Sequence, residues 1–267
     1  MSGRKRLLPG LKIKDGFMRH PFDTTFCVET SGLVCGRDLA TGHAHDRYNT
    51  AYFGVAPSVF QALFAHWQDV PRSSALEQYS FIDLGCGMGR AMLLAAAMPF
   101  RDVLGVELNP ELAAMAQKNV QLWKAAGRAR CGMRVLCGDA TEFEFPDNPC
   151  VAFLFNPFGR TVLRRLLKNL GRVFANRPGQ LDMLYVNHEC GNLFKQHGGF
   201  TPLWSGSIYK SPADEEADRK IIYNQPEGEY APSEYESCSA YRWTGMAGLD
   251  ARSPAVVRDG ASKQRRA

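Results

Sequence analysis

No stretch of this chain approaches the roughly 18 consecutive apolar residues of a membrane-spanning helix, so no membrane partner is expected. The opening residues, Met1 to Pro9, are basic but show neither a long apolar core nor a small-residue cleavage site, and the expectation is a protein that is not exported and works in the cytoplasm. The eight cysteines include no Cys-x-x-Cys pair, which removes the common zinc and dithiol scaffolds. Several sit inside apolar runs, where a reduced thiol packs as a small hydrophobe. His43-Ala44-His45-Asp46 has no matching Cys or His pair elsewhere, so no metal is expected there. There is no internal repeat and no heptad, which leaves one domain with extensions for 267 residues that are 45% hydrophobic and 22% charged. The middle of the chain has no excess of positive charge, its net being about −3. The net +5 is carried by residues 1–20, with six basic residues and one acid, and by residues 248–267, with five basic residues and two acids. These tails read as solvated ends, with an electrostatic hold on nucleic acid or an acidic partner as the alternative. The division expected is an N-terminal extension over 1–47, a domain over 48–247 and a flexible basic tail over 248–267.

What is present is concentrated in Phe81-Ile82-Asp83-Leu84-Gly85-Cys86-Gly87-Met88-Gly89-Arg90, a short apolar strand running into three alternate glycines. A helix-forming run from Ala91 to Met98 follows. Glycine removes the Cβ where a backbone must turn sharply and admit a ligand, and the free N–H groups of the next helix favour an anion. The third glycine comes one residue earlier than in G-x-G-x-x-G, so a pyrophosphate-binding, nicotinamide-dependent oxidoreductase fits poorly. Val103 to Glu107 reads as a second buried strand whose terminal acid, 22 residues beyond Gly85, stands where an α/β unit sets a carboxylate against ribose hydroxyls. Met133 to Cys137 ends in Gly138-Asp139-Ala140, and Val151 to Phe155 ends in Asn156-Pro157-Phe158-Gly159. In an open parallel sheet, ligands lie outside the carboxyl ends of the strands, so Asp83, Glu107, Asp139 and Asn156 face one crevice. Each piece alone is an ordinary turn or strand end, but four in the right order are hard to obtain from packing needs alone.

The rest of the chain fits between these strands. Val59, Phe60, Leu63, Phe64 and Trp67 share one helical face before the first strand. Asn109-Pro110-Glu111 opens a helix to about Ala126, and Val162 to Phe174 carries another before a fifth strand, Leu181 to Val186. Beyond a short helix at 192–197, Leu203 to Tyr209 and Lys220 to Tyr223 read as an antiparallel hairpin around the acidic loop Asp214-Glu215-Glu216-Ala217-Asp218. Residues 224–247 read as irregular but packed, because Tyr230, Tyr235, Tyr241 and Trp243 are too apolar to stay solvated.

Over roughly residues 50–223, this constellation resembles the class I S-adenosylmethionine-dependent methyltransferases. The resemblance implies a doubly wound α/β fold with a mostly parallel seven-stranded sheet and an antiparallel closing strand. It also implies S-adenosylmethionine as cofactor: Gly85, Gly87 and Gly89 at its methionine end, Glu107 on the ribose diol, Asp139 on the adenine amino group and Ala140 beside the ring, with Asp83, Cys86 and Asn156 also among the cofactor residues. Asn156-Pro157-Phe158 is similar to the Asn-Pro-Pro-aromatic loop of methyltransferases that act on planar nitrogens, except that Phe158 stands where the second proline would be. A looser likeness, through Phe153 to Gly159 and an upstream Tyr48-Asn49-Thr50-Ala51-Tyr52-Phe53-Gly54 lip, is to the non-SET histone lysine methyltransferases of the disruptor-of-telomeric-silencing type. It implies that Tyr48, Tyr52 and Gly54 form a lid, while Asn156 and Phe158 position the acceptor. The acceptor is expected to be a nitrogen of a protein side chain or small molecule, and no general base is compelled. The alternative is a cofactor-binding partner module without transfer activity.

Overall fold

Period-two alternation in five apolar runs decides the centre of the molecule. The computed structural model describes residues 19–72, 74–224 and 230–246. The chain runs α1 (Pro21–Phe26), β1 (Leu33–Val34), β2 (Tyr52–Phe53), α2 (Pro57–Gln68), β3 (Ser80–Leu84), α3 (Arg90–Ala96), β4 (Asp102–Glu107) and α4 (Pro110–Ala125). It continues through β5 (Gly132–Cys137), β6 (Cys150–Phe155), α5 (Arg160–Val173), β7 (Leu181–Val186), α6 (Asn192–His197), β8 (Phe200–Tyr209), α7 (Pro212–Tyr223) and β9 (Tyr235–Trp243). Seven strands form one sheet in the order β5-β4-β3-β6-β7-β9-β8. The strands from β5 to β7 pair in parallel, and β9 runs antiparallel to both β7 and β8. This is the doubly wound sheet with an antiparallel closing strand expected from the sequence.

Alternation sends the two sets of strand side chains to opposite layers. Phe81, Val103, Val151 and Phe153 pack under Phe60, Phe64, Trp67, Met92 and Trp123 from α2, α3 and α4. Ile82, Leu104, Ala152, Leu154 and Met183 pack under Leu163, Leu166, Leu170 and Phe194 from α5 and α6. Phe22 and Val28 are buried in the first of these cores, so the segment before residue 48 is packed into the domain. Asp182 on β7, fully buried, accepts from Trp67 Nε1 at 2.7 Å and from Arg242 Nε and Nη2 at 2.8 Å each, joining α2, β7 and β9. Among the described residues no helix is long and apolar enough to cross a membrane. All eight cysteines are free.

The end of the sheet corrects the sequence reading. Leu203 to Tyr209 lies in β8, but Lys220 to Tyr223 is the last turn of α7, and the supposed acidic loop is that helix's first half. Ser211 caps it by accepting from Asp214 N at 3.2 Å, Pro212 occupies the first turn, and Asp214 and Glu215 suit the positive end of the helix dipole. The true partner of β8 is β9, inside the stretch read as irregular. Apart from Arg19 and His20, the basic segments at 1–20 and 248–267 fall outside the described residues.

Candidate active site

The carboxyl ends of β3, β4 and β6 surround a cavity of about 90 Å³ walled by Asp83, Gly85, Cys86, Gly87, Glu107, Asp139 and Ala140. Glu107 is oriented by backbone groups: its Oε2 accepts from Gly87 N and its Oε1 from Asn109 N, both at 2.8 Å. Each oxygen retains a lone pair, which is what a vicinal diol requires. Burial raises the Glu107 carboxyl above its ordinary value, against the pull of those bonds. Asp83 is 3% exposed, and its side chain makes no hydrogen bond among the described residues. Burial first, and the Glu107 charge second, push it well above the ordinary carboxylate range. A buried carboxyl group without a partner is stabilised most by a cation.

The three loop glycines all have positive φ, 77° at Gly85, 52° at Gly87 and 88° at Gly89. A Cβ on Gly85 would collide with Pro157, and one on Gly87 with the ring of Tyr52, so these two positions also make room for protein neighbours. Gly89 faces Ala116 of α4.

At the far end, Asp139 Oδ1 accepts from Thr141 N at 2.8 Å. Its Oδ2 lies 2.9 Å from His45 Nδ1 and 4.0 Å from His43 Nε2. Arg165 Nη1 is 3.4 Å from His45 Nε2. His43 Nδ1 accepts from His45 N at 3.1 Å. The three residues have the spacing of a metal group, with ligand atoms within 4.8 Å of one another. Asp46 turns away to accept from Thr41 N and Gly42 N at 2.7 Å each.

The upstream lip is fastened by Arg90, the first residue of α3 and only 3% exposed. Its Nε donates to Thr30 Oγ1 at 2.7 Å, Nη1 to Gly54 O at 3.1 Å and Val55 O at 3.3 Å, and Nη2 to Thr30 O at 3.1 Å. Asp23, 3.9 Å from the guanidinium, accepts from Thr30 N at 2.6 Å and Ser31 Oγ at 2.7 Å. Gly54 is required here because a Cβ would lie 2.7 Å from Arg90 Cζ. Tyr52 donates to Thr30 O at 2.7 Å, and its ring lies over Gly87. Both Tyr52 and Gly54 line the cavity. Tyr48 does not, and packs beside the core of α5.

Asn156 and Phe158 part company. Phe158 is buried, walls the first cavity and pairs through its backbone with Asn49. Asn156, 7% exposed with φ 41°, borders a second cavity of about 500 Å³. Its Oδ1 accepts from Tyr185 OH at 3.0 Å, and its carbonyl accepts from Thr50 Oγ1. Thr50, Ala51, Phe53 and Phe155 wall both cavities.

Sequence reasoning missed Arg90, His45 and the Asp23/Thr30/Ser31 cluster. The available signal was a charged residue opening an otherwise apolar helix directly after the third glycine, since a buried arginine needs a nest of acceptors elsewhere in the chain.

With this geometry in hand, residues 81–177 match the family profile described as a methyltransferase domain. No curated protein matches the chain. Among solved structures it is similar to TrmN from Thermus thermophilus, at 18% identity over 71% of this chain and 49% of that one with a TM-score of 0.45. It is similar also to M. capricolum TrmK in complex with S-adenosyl-homocysteine, at 11% identity over 69% of each chain with a TM-score of 0.40. A third is the [4+2]-cyclase SpnF, at 16% identity over 70% of this chain and 81% of that one with a TM-score of 0.48.

The sheet order is that of the Rossmann-like methyltransferase fold. Residues 81–177 are a methyltransferase domain, whose cofactor is S-adenosylmethionine. The residues fit the cofactor: Asp83 meets a need for positive charge that the sulfonium and ammonium groups satisfy, and Glu107 offers paired acceptors to the ribose.

Proposed function

We propose that this enzyme transfers the methyl group of S-adenosylmethionine to a nitrogen, on a small molecule or a protein side chain, presented from the second cavity. One observation carries the reading: the two cavities share the wall Thr50, Ala51, Phe53 and Phe155, and Asn156 stands on the acceptor side of it. When bound, the cofactor supplies a methyl group activated by its sulfonium. The chain's own task is alignment and exclusion of water. Tyr52 and Gly54, tied down through Thr30 and Arg90, cover the cofactor side. The Tyr185 hydroxyl can give or take a hydrogen bond, so the Asn156 amide can turn either its carbonyl or its NH₂ toward an arriving nitrogen. The eight free cysteines fit a reducing compartment such as the cytoplasm.

The test is transfer of labelled methyl from S-adenosylmethionine into a cell extract, followed by identification of the labelled atom. Asn156→Ala should then lower kcat much more than cofactor affinity, because an interaction that orients the acceptor counts in the transition state. Equal, small effects on both would move the acceptor away from this loop, first to the Tyr48 to Gly54 lip.

A further inference from the structure

The second cavity has a charge pattern that the transfer reaction by itself does not demand. Glu189, Lys210 and Glu236 line it. Lys210 is already committed, 2.9 Å from Asp218 Oδ2 and 3.1 Å from Glu236 Oε1, and both of those carboxylates are largely buried. Burial works against the Lys210 ammonium, yet Asp218 and Glu236 hold its pKa above the ordinary value, so it stays a cation with its charge spent inside the protein. Glu236 Oε2 and the Glu189 carboxylate have no ion-pair partner among the described residues. Asp218 and Glu236 thus share one ammonium, and Glu189 adds a carboxylate of its own to the cavity wall.

Two further features belong to the same space. Phe53, Phe155 and Tyr235 contribute aromatic walls, whose faces attract a positive charge. Asn156, more than nine-tenths buried, reaches the cavity with an amide nitrogen that has no hydrogen-bond partner among the described residues. Exchanged against Tyr185, the same amide presents its carbonyl to an N–H group. A neutral or anionic acceptor would leave the carboxylates uncompensated on losing water, whereas an alkylammonium compensates them.

We propose that the second cavity is a recognition site for an alkylammonium acceptor, selected by Glu189 and Glu236 and by the aromatic wall next to the cofactor cavity. The inference rests on the methyl-transfer reading for its purpose but not for its test. Before transfer, the ammonium releases its proton to water. The nitrogen lone pair then forms the N–CH₃ bond as the S–CH₃ bond breaks, the sulfur keeps that electron pair, and S-adenosyl-homocysteine leaves. Transfer therefore rises with pH as the neutral amine becomes available, while recognition favours the charged form.

The experiment is a calorimetric titration of the full chain with 1-aminopentane and with 1-pentanol, alone and with saturating S-adenosyl-homocysteine. The amine is expected to bind at least about tenfold tighter than the alcohol of the same shape. Glu189→Gln, at an exposed position without an ion pair, should shrink that preference severalfold, and Glu236→Gln should shrink it further if the variant folds. Equal binding of amine and alcohol, binding of neither, or an undiminished preference in Glu189→Gln overturns the proposal. Because the titration is also run without cofactor, failure of S-adenosyl-homocysteine to bind would count against the transferase reading while leaving the amine comparison intact. A parallel titration with a lysine peptide assigns the source: tighter binding of the peptide points to a protein side chain, tighter binding of the free amine to a small molecule.

Discussion

At the residue scale, the most informative group is Asp83, because its environment is unfavourable without a ligand. A carboxyl group whose folded pKa is raised stabilises the protein fully below the ordinary value of about 3.9, and that contribution is lost as pH rises through the folded value. Asp83→Asn removes the titration while keeping the shape. It should raise the melting temperature of the cofactor-free protein at neutral pH by about 2 °C or more, flatten the decline between acid and neutral pH, and weaken S-adenosylmethionine binding. A variant that is both less stable and unchanged in affinity would remove Asp83 from the site. Binding of the cationic cofactor should also release a proton from Asp83, which calorimetry in buffers of different ionisation enthalpy detects directly. Glu107 calls for a gentler substitution. Because it accepts from Gly87 N and Asn109 N, Glu107→Ala would disturb the loop as well as the ribose contact, whereas Glu107→Gln keeps one acceptor oxygen. We expect Glu107→Gln to fold and to bind the cofactor about tenfold more weakly, a loss of roughly 1.5 kcal/mol for one charge-assisted bond.

At the element scale, the lip over the cofactor cavity is held by one guanidinium that spans α3, the Thr30 turn and the backbone after β2. Arg90→Met keeps much of the side-chain volume but leaves Asp23 buried without its counter-charge, at a cost of about 3–5 kcal/mol. Denaturant unfolding should show that loss, and limited proteolysis should cut first near residues 30–55. Tyr52→Ala tests the same element without a buried charge: with the ring gone from above Gly87, cofactor association in stopped flow should quicken and dissociation quicken more. This is also the scale at which the sequence misled. Ile221 and Ile222 read as strand, although Ser211, Pro212, Asp214 and Glu215 wrote a helix start, and the cap decided the outcome. In β9 the small residues Ser237, Cys238, Ser239 and Ala240 hid a strand whose partners, β7 and β8, supply the burial that its own composition does not.

At the scale of the whole molecule, His20 joins the segment before the domain to α7. It is fully buried, with Nδ1 accepting from Phe22 N at 3.1 Å and Nε2 3.4 Å from Asp214 Oδ1. Burial first, then the Arg90 charge, lower its pKa from 6.5 to about 4, with Asp214 and Asp23 opposing and Lys210 assisting. A lowered histidine stabilises the protein above its ordinary value, so stability should fall as the pH drops from 6.5 to about 4. His20→Gln should flatten that part of a melting-temperature profile, and an unchanged slope would place the acid sensitivity elsewhere.

The sequence by itself determined the sheet and the loop: alternation at period two, glycines at alternate positions and acids at strand ends are local patterns, so β3 to β7 and the positions of Asp83, Glu107 and Asp139 were legible from order alone. Tertiary structure decided what those patterns could not carry. That Phe158 walls the first cavity and Asn156 the second, that His45 from a distant turn covers Asp139, that Arg90 ties the lip, and that Glu189 and Glu236 gather beside one cavity all depend on contacts between residues far apart in the chain. Such contacts leave no periodicity to read, because the energy of a buried charge depends on which partners the fold brings to it.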